Sequence, residues 1–269
     1  MSPTRLLNEL ADELCRSGPW TNPRKIYTAT FLTFLRGFLI KEQSKDPCKD
    51  LIKKLGLDPT LKTLCSPFFK PMLIVKKLLD TIQEETLAID TRSNVRNLLR
   101  RIAKELQMRG GSALLADALS SIEMVTLVVH ARERGFGAKF LNSYFLNPAG
   151  VTSFLGDQVS KKGALKGYSS LLKRELGFAK VQIIEYSLSP DRFVHGDEFF
   201  SLKHFLERMP FEEFWNKARK LALKYDRVLI TSDHGYSFRL NGEFIYIDHG
   251  VKEELDISAL VPFILVWKR

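Results

Sequence analysis

Residues 228–236 read VLITSDHGY, and this stretch decides how the rest of the chain is interpreted. Its first four residues are strand-forming, which is typical of a buried strand. The strand then runs directly into Ser232, Asp233, His234 and Gly235. An ordinary turn requires neither a carboxylate nor an imidazole at this point. The question is therefore whether other residues of the chain form a functional site together with Asp233 and His234.

The sequence around this stretch alternates between strand and helix patterns from Ser112 onward. Strand-like runs are SALLA, AKFLNSYFL, AKVQIIEYSL, RVLITS and VPFILVW, and segments with helical spacing lie between most of them. Asn241-Gly242 lies between two alternating runs and predicts a hairpin. The alternation predicts an α/β fold with a mainly parallel sheet and helices on both faces.

The first part of the chain has a different pattern. Residues 1–108 show apolar residues at three- and four-residue spacing, interrupted by proline-containing breaks, which predicts about five helices. Gly110-Gly111 marks a boundary. We therefore predict an all-helical N-terminal domain, residues 1–108, followed by an α/β domain, residues 112–269.

The positive charge is concentrated in the N-terminal part. The chain has a net charge of +10, and residues 1–110 hold 20 Lys and Arg against 12 Asp and Glu, whereas the remainder holds 21 against 19. A basic helical domain indicates a polyanion partner such as nucleic acid. The alternative is an ordinary solvated basic helix face.

Composition indicates a soluble, cytoplasmic protein. Hydrophobic residues make up 45% and charged residues 27% of the chain. The apolar run IYTATFLTFLRGFLI is interrupted by Arg36 and is shorter than the ~20 residues of a membrane span. The first residues lack the layout of a signal peptide. Three cysteines without C-x-x-C spacing predict free thiols in a reducing compartment.

Carboxylates follow three of the predicted strands, and histidines lie close by. The carboxylates are Asp117, Asp191 and Asp233, and the histidines are His195, His234 and His249. Because the carboxyl ends of parallel strands meet at one sheet edge, we expect these side chains to converge. Carboxylate oxygen and imidazole nitrogen suit zinc, manganese or iron, and the number of groups is enough for two ions. Taken singly, each group is also compatible with a helix cap or a turn.

The order of these motifs resembles the alkaline phosphatase superfamily, and most closely its PglZ branch. The matching pieces are D-x-x-x-H at 191–195, T-S-D-H-G at 231–235, a histidine at 249 and V-P-F-I-L at 261–265. LLADALSSIE, residues 114–123, resembles the opening of PglZ domains. The resemblance covers residues 112–269. Cofactor-independent phosphoglycerate mutase is a more distant relative of the same superfamily.

The resemblance implies two divalent metal ions, zinc or manganese, and a serine or threonine nucleophile between them. Asp117, Asp233 and His234 match the ligands of one ion. The ligands of the other match Asp191, His195 and His249.

The nucleophile is where this sequence departs from the family. The matching stretch is NPAGVTSFLGD, residues 147–157. Alignment on Pro148 places Ala149 at the nucleophile position, and alignment on V-T-S places Gly150 there. A shifted register places Thr152 or Ser153 there, and we predict Thr152 first and Ser153 second.

The resemblance implies a metal-dependent phosphohydrolase, and the positive charge favours a phosphodiester substrate such as a nucleotide or oligonucleotide. Ser120 and Ser121 are lesser candidates for the nucleophile and equally suit a helix cap. If the nucleophile is lost, the chain is a non-catalytic PglZ-like module that binds nucleic acid or a protein partner in a defence or signalling system. A third hypothesis is an isomerase related to the phosphoglycerate mutases. It is less favoured because residues 1–108 do not resemble an inserted domain.

Overall fold

The structure is a computed structural model that describes residues 31, 91–106, 111–147, 150, 155, 164–184, 200–208, 211–248 and 260–269. Its helices are α1 (Thr91–Leu106), α2 (Ser121–Glu133), α3 (Ala164–Leu176), α4 (Leu202–Arg208) and α5 (Phe211–Tyr225). Its strands are β1 (Ser112–Ala116), β2 (Phe136–Leu146), β3 (Lys180–Ile184), β4 (Phe200–Ser201), β5 (Arg227–Ser232), β6 (Ser237–Asn241), β7 (Phe244–Asp248) and β8 (Leu260–Lys268). None of these helices is both long enough and apolar enough to cross a bilayer.

The main sheet has five strands in the order β2-β8-β5-β1-β3. β5 is the central strand; β1 lies between β5 and β3 and pairs in parallel with both, whereas β8 pairs antiparallel with β5 and β2. The predicted α/β class is therefore confirmed, but the sheet is mixed, with a parallel block of three strands. A continuous apolar run such as VPFILVW indicates that a strand is buried and carries no information about its direction.

Helices cover both faces of the main sheet, as the alternation predicted. α1 and α3 pack on one face, and α2 and α5 pack on the other. Every residue of β1 is buried, because alternate side chains enter the two cores: Leu114 faces α2 and Leu115 faces α1. This double burial explains why the strand lacks an alternating polar pattern.

A second, three-stranded antiparallel sheet has the order β4-β7-β6. The predicted hairpin at Asn241-Gly242 is present, but its two-residue turn is Gly242-Glu243, since Asn241 pairs with Phe244. Gly242 has φ 62° in the first turn position, where glycine adopts a positive φ without steric cost.

Within residues 1–108, the structure describes Phe31 and α1. α1 confirms the helical pattern of VRNLLRRIAKEL, and its apolar side chains Val95, Leu99 and Ile102 are buried in the core that it shares with α3 and the sheet. The rest of the predicted N-terminal helical domain lies outside the described residues. The predicted division of the chain at residues 108–112 stays a prediction.

Candidate metal centre

Two neighbouring parallel strands deliver the first two acidic groups of the site. Ala116 at the end of β1 pairs with Ser232 at the end of β5, so Asp117 and Asp233 leave the sheet at the same level. The backbone N–H of Asp117 donates to the carbonyl of Ile184 at the end of β3, at 3.1 Å. The carboxyl ends of three strands therefore meet beside this pair, as the sequence predicted for β1, β3 and β5.

His234 joins the two carboxylates to form a compact group. Its Nε2 lies 3.5 Å from Oδ1 of Asp117 and 3.6 Å from Oδ2 of Asp233, and the three ligand atoms lie within 4.8 Å of one another. Asp233 is fully buried and the His234 side chain is 3% exposed, whereas the Asp117 side chain is 19% exposed. The group is thus open to solvent on the side of Asp117.

The spacing of the three groups is compatible with a shared metal ion. An N–H···O hydrogen bond has a length of about 2.7–3.2 Å, which is shorter than both separations from His234. Ligand atoms about 2.1 Å from one tetrahedral ion lie about 3.4 Å from each other. Two carboxylates and one imidazole are also a donor set that zinc and manganese accept. Asp117, Asp233 and His234 are therefore the described residues that could hold such an ion.

Ser232 links the two segments that carry the ligands. Its Oγ accepts the backbone N–H of Leu119 at 2.8 Å and lies 2.9 Å from the carbonyl of Ala116 and 2.6 Å from the carbonyl of His234. The backbone N–H of Ala118 points to Oδ1 of Asp233 at 3.4 Å. Both ligand segments are thus fixed against each other by short-range polar contacts.

Asn147 ties the segment after β2 to the same site. It is buried, and its side-chain amide donates to the backbone carbonyl of Asp233 at 2.8 Å. Gly150 then turns back with φ 57°, and its N–H donates to the carbonyl of Asn147 at 2.9 Å. Asn147, the first residue of NPAGVTSFLGD, therefore lies beside Asp233.

Electrostatics in the site favour positive charge. Burial lowers the pKa of His234, but the negative charge of Asp233, the contacts with Asp117 and the carbonyl of Gly235 outweigh burial and raise that pKa to about 9. Burial and, to a smaller extent, the negative charge of Asp233 raise the pKa of the Tyr168 hydroxyl on α3, although Thr231 opposes them. A cation in this position is therefore stabilised by its surroundings.

The structure brings together three of the eight site residues that the sequence singles out, namely Asp117, Asp233 and His234. The other five lie outside the described residues: Thr152, Ser153, Asp191, His195 and His249. Their predicted roles stay predictions.

The two serines after Asp117 are both buried at the start of α2. Ser120 is the helix N-cap, with its Oγ accepting the N–H of Ile122 at 3.2 Å and bonded to the carboxylate of Glu123. The capping alternative is thus the one observed for Ser120. Ser121 Oγ has no hydrogen-bond partner within the described part of the chain.

Sequence reasoning missed Glu123, a buried residue beside the site that contacts the buried Tyr236. Glu123 bonds both Ser120 and the Tyr236 hydroxyl. Serine followed three residues later by glutamate is a readable capping-box signal for the first contact. The second contact joins residues 113 positions apart, and no local pattern indicates it.

Comparison with known proteins adds no relative on which the site can be mapped. No protein-family model matches this sequence, and no curated protein matches it.

Proposed function

We propose that the chain is a metal-dependent phosphohydrolase of the PglZ-like type. The observation that carries the proposal is the grouping of Asp117, Asp233 and His234 within 4.8 Å at the carboxyl edge of the parallel block. Ligands of α/β folds bind at this edge. Two buried or half-buried carboxylates around an imidazole suit zinc or manganese.

The proposal includes a second ion and a nucleophile from the segments that the sequence resemblance names. Asp191, His195 and His249 are the proposed ligands of the second ion, and Thr152 or Ser153 is the proposed nucleophile. The hydrogen bond from Asn147 to Asp233 supports the assignment of the nucleophile, because Asn147 lies only five residues before Thr152 in the sequence.

The reaction is the hydrolysis of a phosphate ester. The bond between phosphorus and one ester oxygen breaks, the oxygen of water ends on the phosphorus, and the leaving alcohol takes up a proton. Bound divalent ions supply positive charge that lowers the pKa of a hydroxyl and offsets the charge of the phosphate. Asp117, Asp233 and His234 contribute by holding such charge at the carboxyl edge of the parallel block.

A phosphodiester, as in a nucleotide or oligonucleotide, is the proposed substrate. The net charge of +10 favours polyanions. α1 and α3 also present exposed cations, which we call the basic face: Arg96, Arg100, Arg101, Lys104, Lys173 and Arg174. Arg96, Arg100 and Arg174 share a single carboxylate, Glu175, so the face keeps an excess of positive charge.

Metal content by elemental analysis, on protein purified without chelator, tests the proposal first. We expect about two zinc or manganese ions per chain in the wild type. We expect one fewer in Asp233→Asn, which keeps an oxygen for the Ala118 N–H but removes the charge. Asp226→Asn, at the other end of β5, is the matched control and should keep both ions. A wild type without metal after reconstitution contradicts the proposal.

Activity is then measured on a diester and a monoester of the same chromogenic phenol. We expect hydrolysis of the diester to be lost in Asp233→Asn and in the double variant Thr152→Ala/Ser153→Ala. The double variant should keep its metal content, because the hydroxyls are not needed to bind the ions. Full activity in the double variant would rule out both proposed nucleophiles.

A non-catalytic module that binds nucleic acid is the second candidate, and the basic face is the observation that favours it. If the nucleophile is absent, the fold, the metal and this face remain. The affinity for nucleic acid would then depend on contacts with phosphates and would decrease steeply as the salt concentration rises.

Charge removal on opposite faces of the sheet tests whether nucleic acid binds at the basic face. Arg101→Ala/Lys104→Ala removes two charges from α1, and Arg219→Ala/Lys220→Ala removes two exposed charges from α5 on the other face. We expect only the α1 variant to reduce the slope of log affinity against log salt, by about 0.7 per lost contact with a single strand. Equal effects of both variants would mean that binding follows net charge alone.

A further inference from the structure

A buried carboxylate on α2 contacts both segments that carry the metal ligands. Glu123 is 2% exposed, and its two oxygens have different partners. Oε2 accepts the backbone N–H of Ser120 at 2.9 Å and is bonded to the Ser120 hydroxyl. Oε1 accepts the hydroxyl of Tyr236, which is fully buried.

The positions of these partners in the chain show which two segments Glu123 connects. Ser120 lies three residues after Asp117, and Tyr236 lies two residues after His234. Through these hydrogen bonds, Glu123 therefore connects the end of the Asp117 turn to the end of the Asp233-His234 segment. Ser232 forms the corresponding bridge at the sheet side of both segments.

The hydrogen bond from the Tyr236 hydroxyl to Glu123 is not needed to cap α2. A capping box needs one oxygen of Glu123 on the Ser120 backbone and the Ser120 hydroxyl on the first turn, and both contacts are present without Tyr236. The remaining oxygen could have faced solvent at an ordinary helix start. Here it is buried against a phenol from the ligand segment.

We infer that Glu123 is a positioning residue of the metal centre, acting through Tyr236 to hold His234 and Asp233 at ligand distance from Asp117. This inference rests on the proposed function. Outer groups that orient metal ligands typically change metal affinity by about 10- to 100-fold when they are removed.

Tyr236→Phe isolates this role, because it removes the hydroxyl and leaves the capping box intact. The experiment measures zinc and manganese dissociation constants by chelator competition, at a temperature where every variant is folded. We expect Tyr236→Phe and Glu123→Gln each to weaken metal binding about tenfold or more.

Thr126→Ala is the matched control. It removes a buried hydrogen bond of the same helix, from Thr126 Oγ1 to the Ile122 carbonyl at 3.0 Å. We expect a lower Tm with metal affinity within about twofold of the wild type, since this bond touches neither ligand segment.

The outcomes distinguish the inference from the proposed function. A wild type that binds metal, with Tyr236→Phe binding equally well, overturns the positioning role and leaves the metal centre standing. Loss of affinity in Thr126→Ala equal to that in Tyr236→Phe also overturns it, because the effect would then follow stability alone. A wild type that binds neither metal overturns both.

Discussion

At the scale of single residues, Ala118 has a backbone conformation that alanine rarely adopts. Its φ is 54°, it is fully buried, and it lies directly after Asp117. The left-handed region costs a non-glycine residue about 1 kcal/mol. This strain lies at the candidate metal centre, where the turn directs Asp117 toward His234 and the Ala118 N–H toward Asp233.

Replacing Ala118 by glycine should therefore leave the free energy of unfolding within about 0.5 kcal/mol of the wild type, because relief of strain offsets the lost methyl group. Ala116→Gly is the control: it removes the same atom from extended β1 without relief and should cost about 1–2 kcal/mol. Urea unfolding measures both. Equal losses would show that position 118 carries no strain.

His130 is a second residue whose environment makes a measurable prediction. It is fully buried in α2, edge-on to the rings of Trp215 and Phe211 at centroid distances of 5.0 and 5.8 Å. Neither ring nitrogen has a hydrogen-bond partner among the described residues. Burial, aided by the charge of Arg134, lowers the pKa of His130 from 6.5 to about 4. The imidazole is therefore neutral in the folded protein at neutral pH.

Between pH 6.5 and about 4 the unfolded chain binds a proton at His130 that the folded chain does not. The free energy of unfolding should therefore fall as the pH falls through this window, by up to about 3 kcal/mol, and show no contribution above it. In His130→Phe this contribution should vanish. Subtracting the two stability curves, measured by urea unfolding from pH 4 to 8, isolates it. Parallel curves would show that His130 titrates normally.

At the scale of elements, the pairing of β2 with β8 depends on a glycine. Gly137 pairs with Trp267, and a Cβ at position 137 would lie 1.9 Å from Cε2 of the indole. The ring thus covers the space that a side chain would occupy. Tryptophan and glycine fit each other here as a cross-strand pair.

Gly137→Ala should destabilise the protein by about 1–3 kcal/mol, because the ring must move. A double-mutant cycle with Trp267→Ala tests the cause. In the Trp267→Ala background, Gly137→Ala should lower the free energy of unfolding much less. The destabilisation by the two single substitutions should therefore not be additive. Additive effects would place the cost in the backbone of β2.

The elements themselves were largely predictable from sequence, whereas their directions were not. SALLA and RVLITS are short apolar runs bounded by polar residues, so the strands and the carboxylates that follow them could be predicted. VPFILVW was also identified as a strand, but its antiparallel pairing with β5 is a tertiary choice. Likewise, β6 and β7 form a separate sheet with β4 rather than extending the main one.

At the scale of the whole molecule, the candidate site depends both on local sequence patterns and on contacts between residues far apart in the chain. Asp117 and Asp233 were predicted to converge because parallel strands end at one edge, and they do. The contact between Glu123 and Tyr236 depends on how α2 packs against the second ligand segment, which no periodicity encodes. A sequence can therefore indicate ligands more readily than the residues that hold them in place.

If the proposed metal centre is correct, metal binding should also stabilise the whole fold. Its ligands come from β1 and β5, 116 residues apart, so the assembled site exists only in the folded chain. Metal that binds the folded state alone stabilises it by about 2.7 kcal/mol at a free concentration 100 times the dissociation constant. We expect Tm to rise with the logarithm of free zinc or manganese in the wild type and in Asp226→Asn. It should not respond in this way in Asp233→Asn. A Tm independent of metal in the wild type would mean that these three side chains hold no ion, and a rise of equal size in Asp233→Asn would place the binding elsewhere.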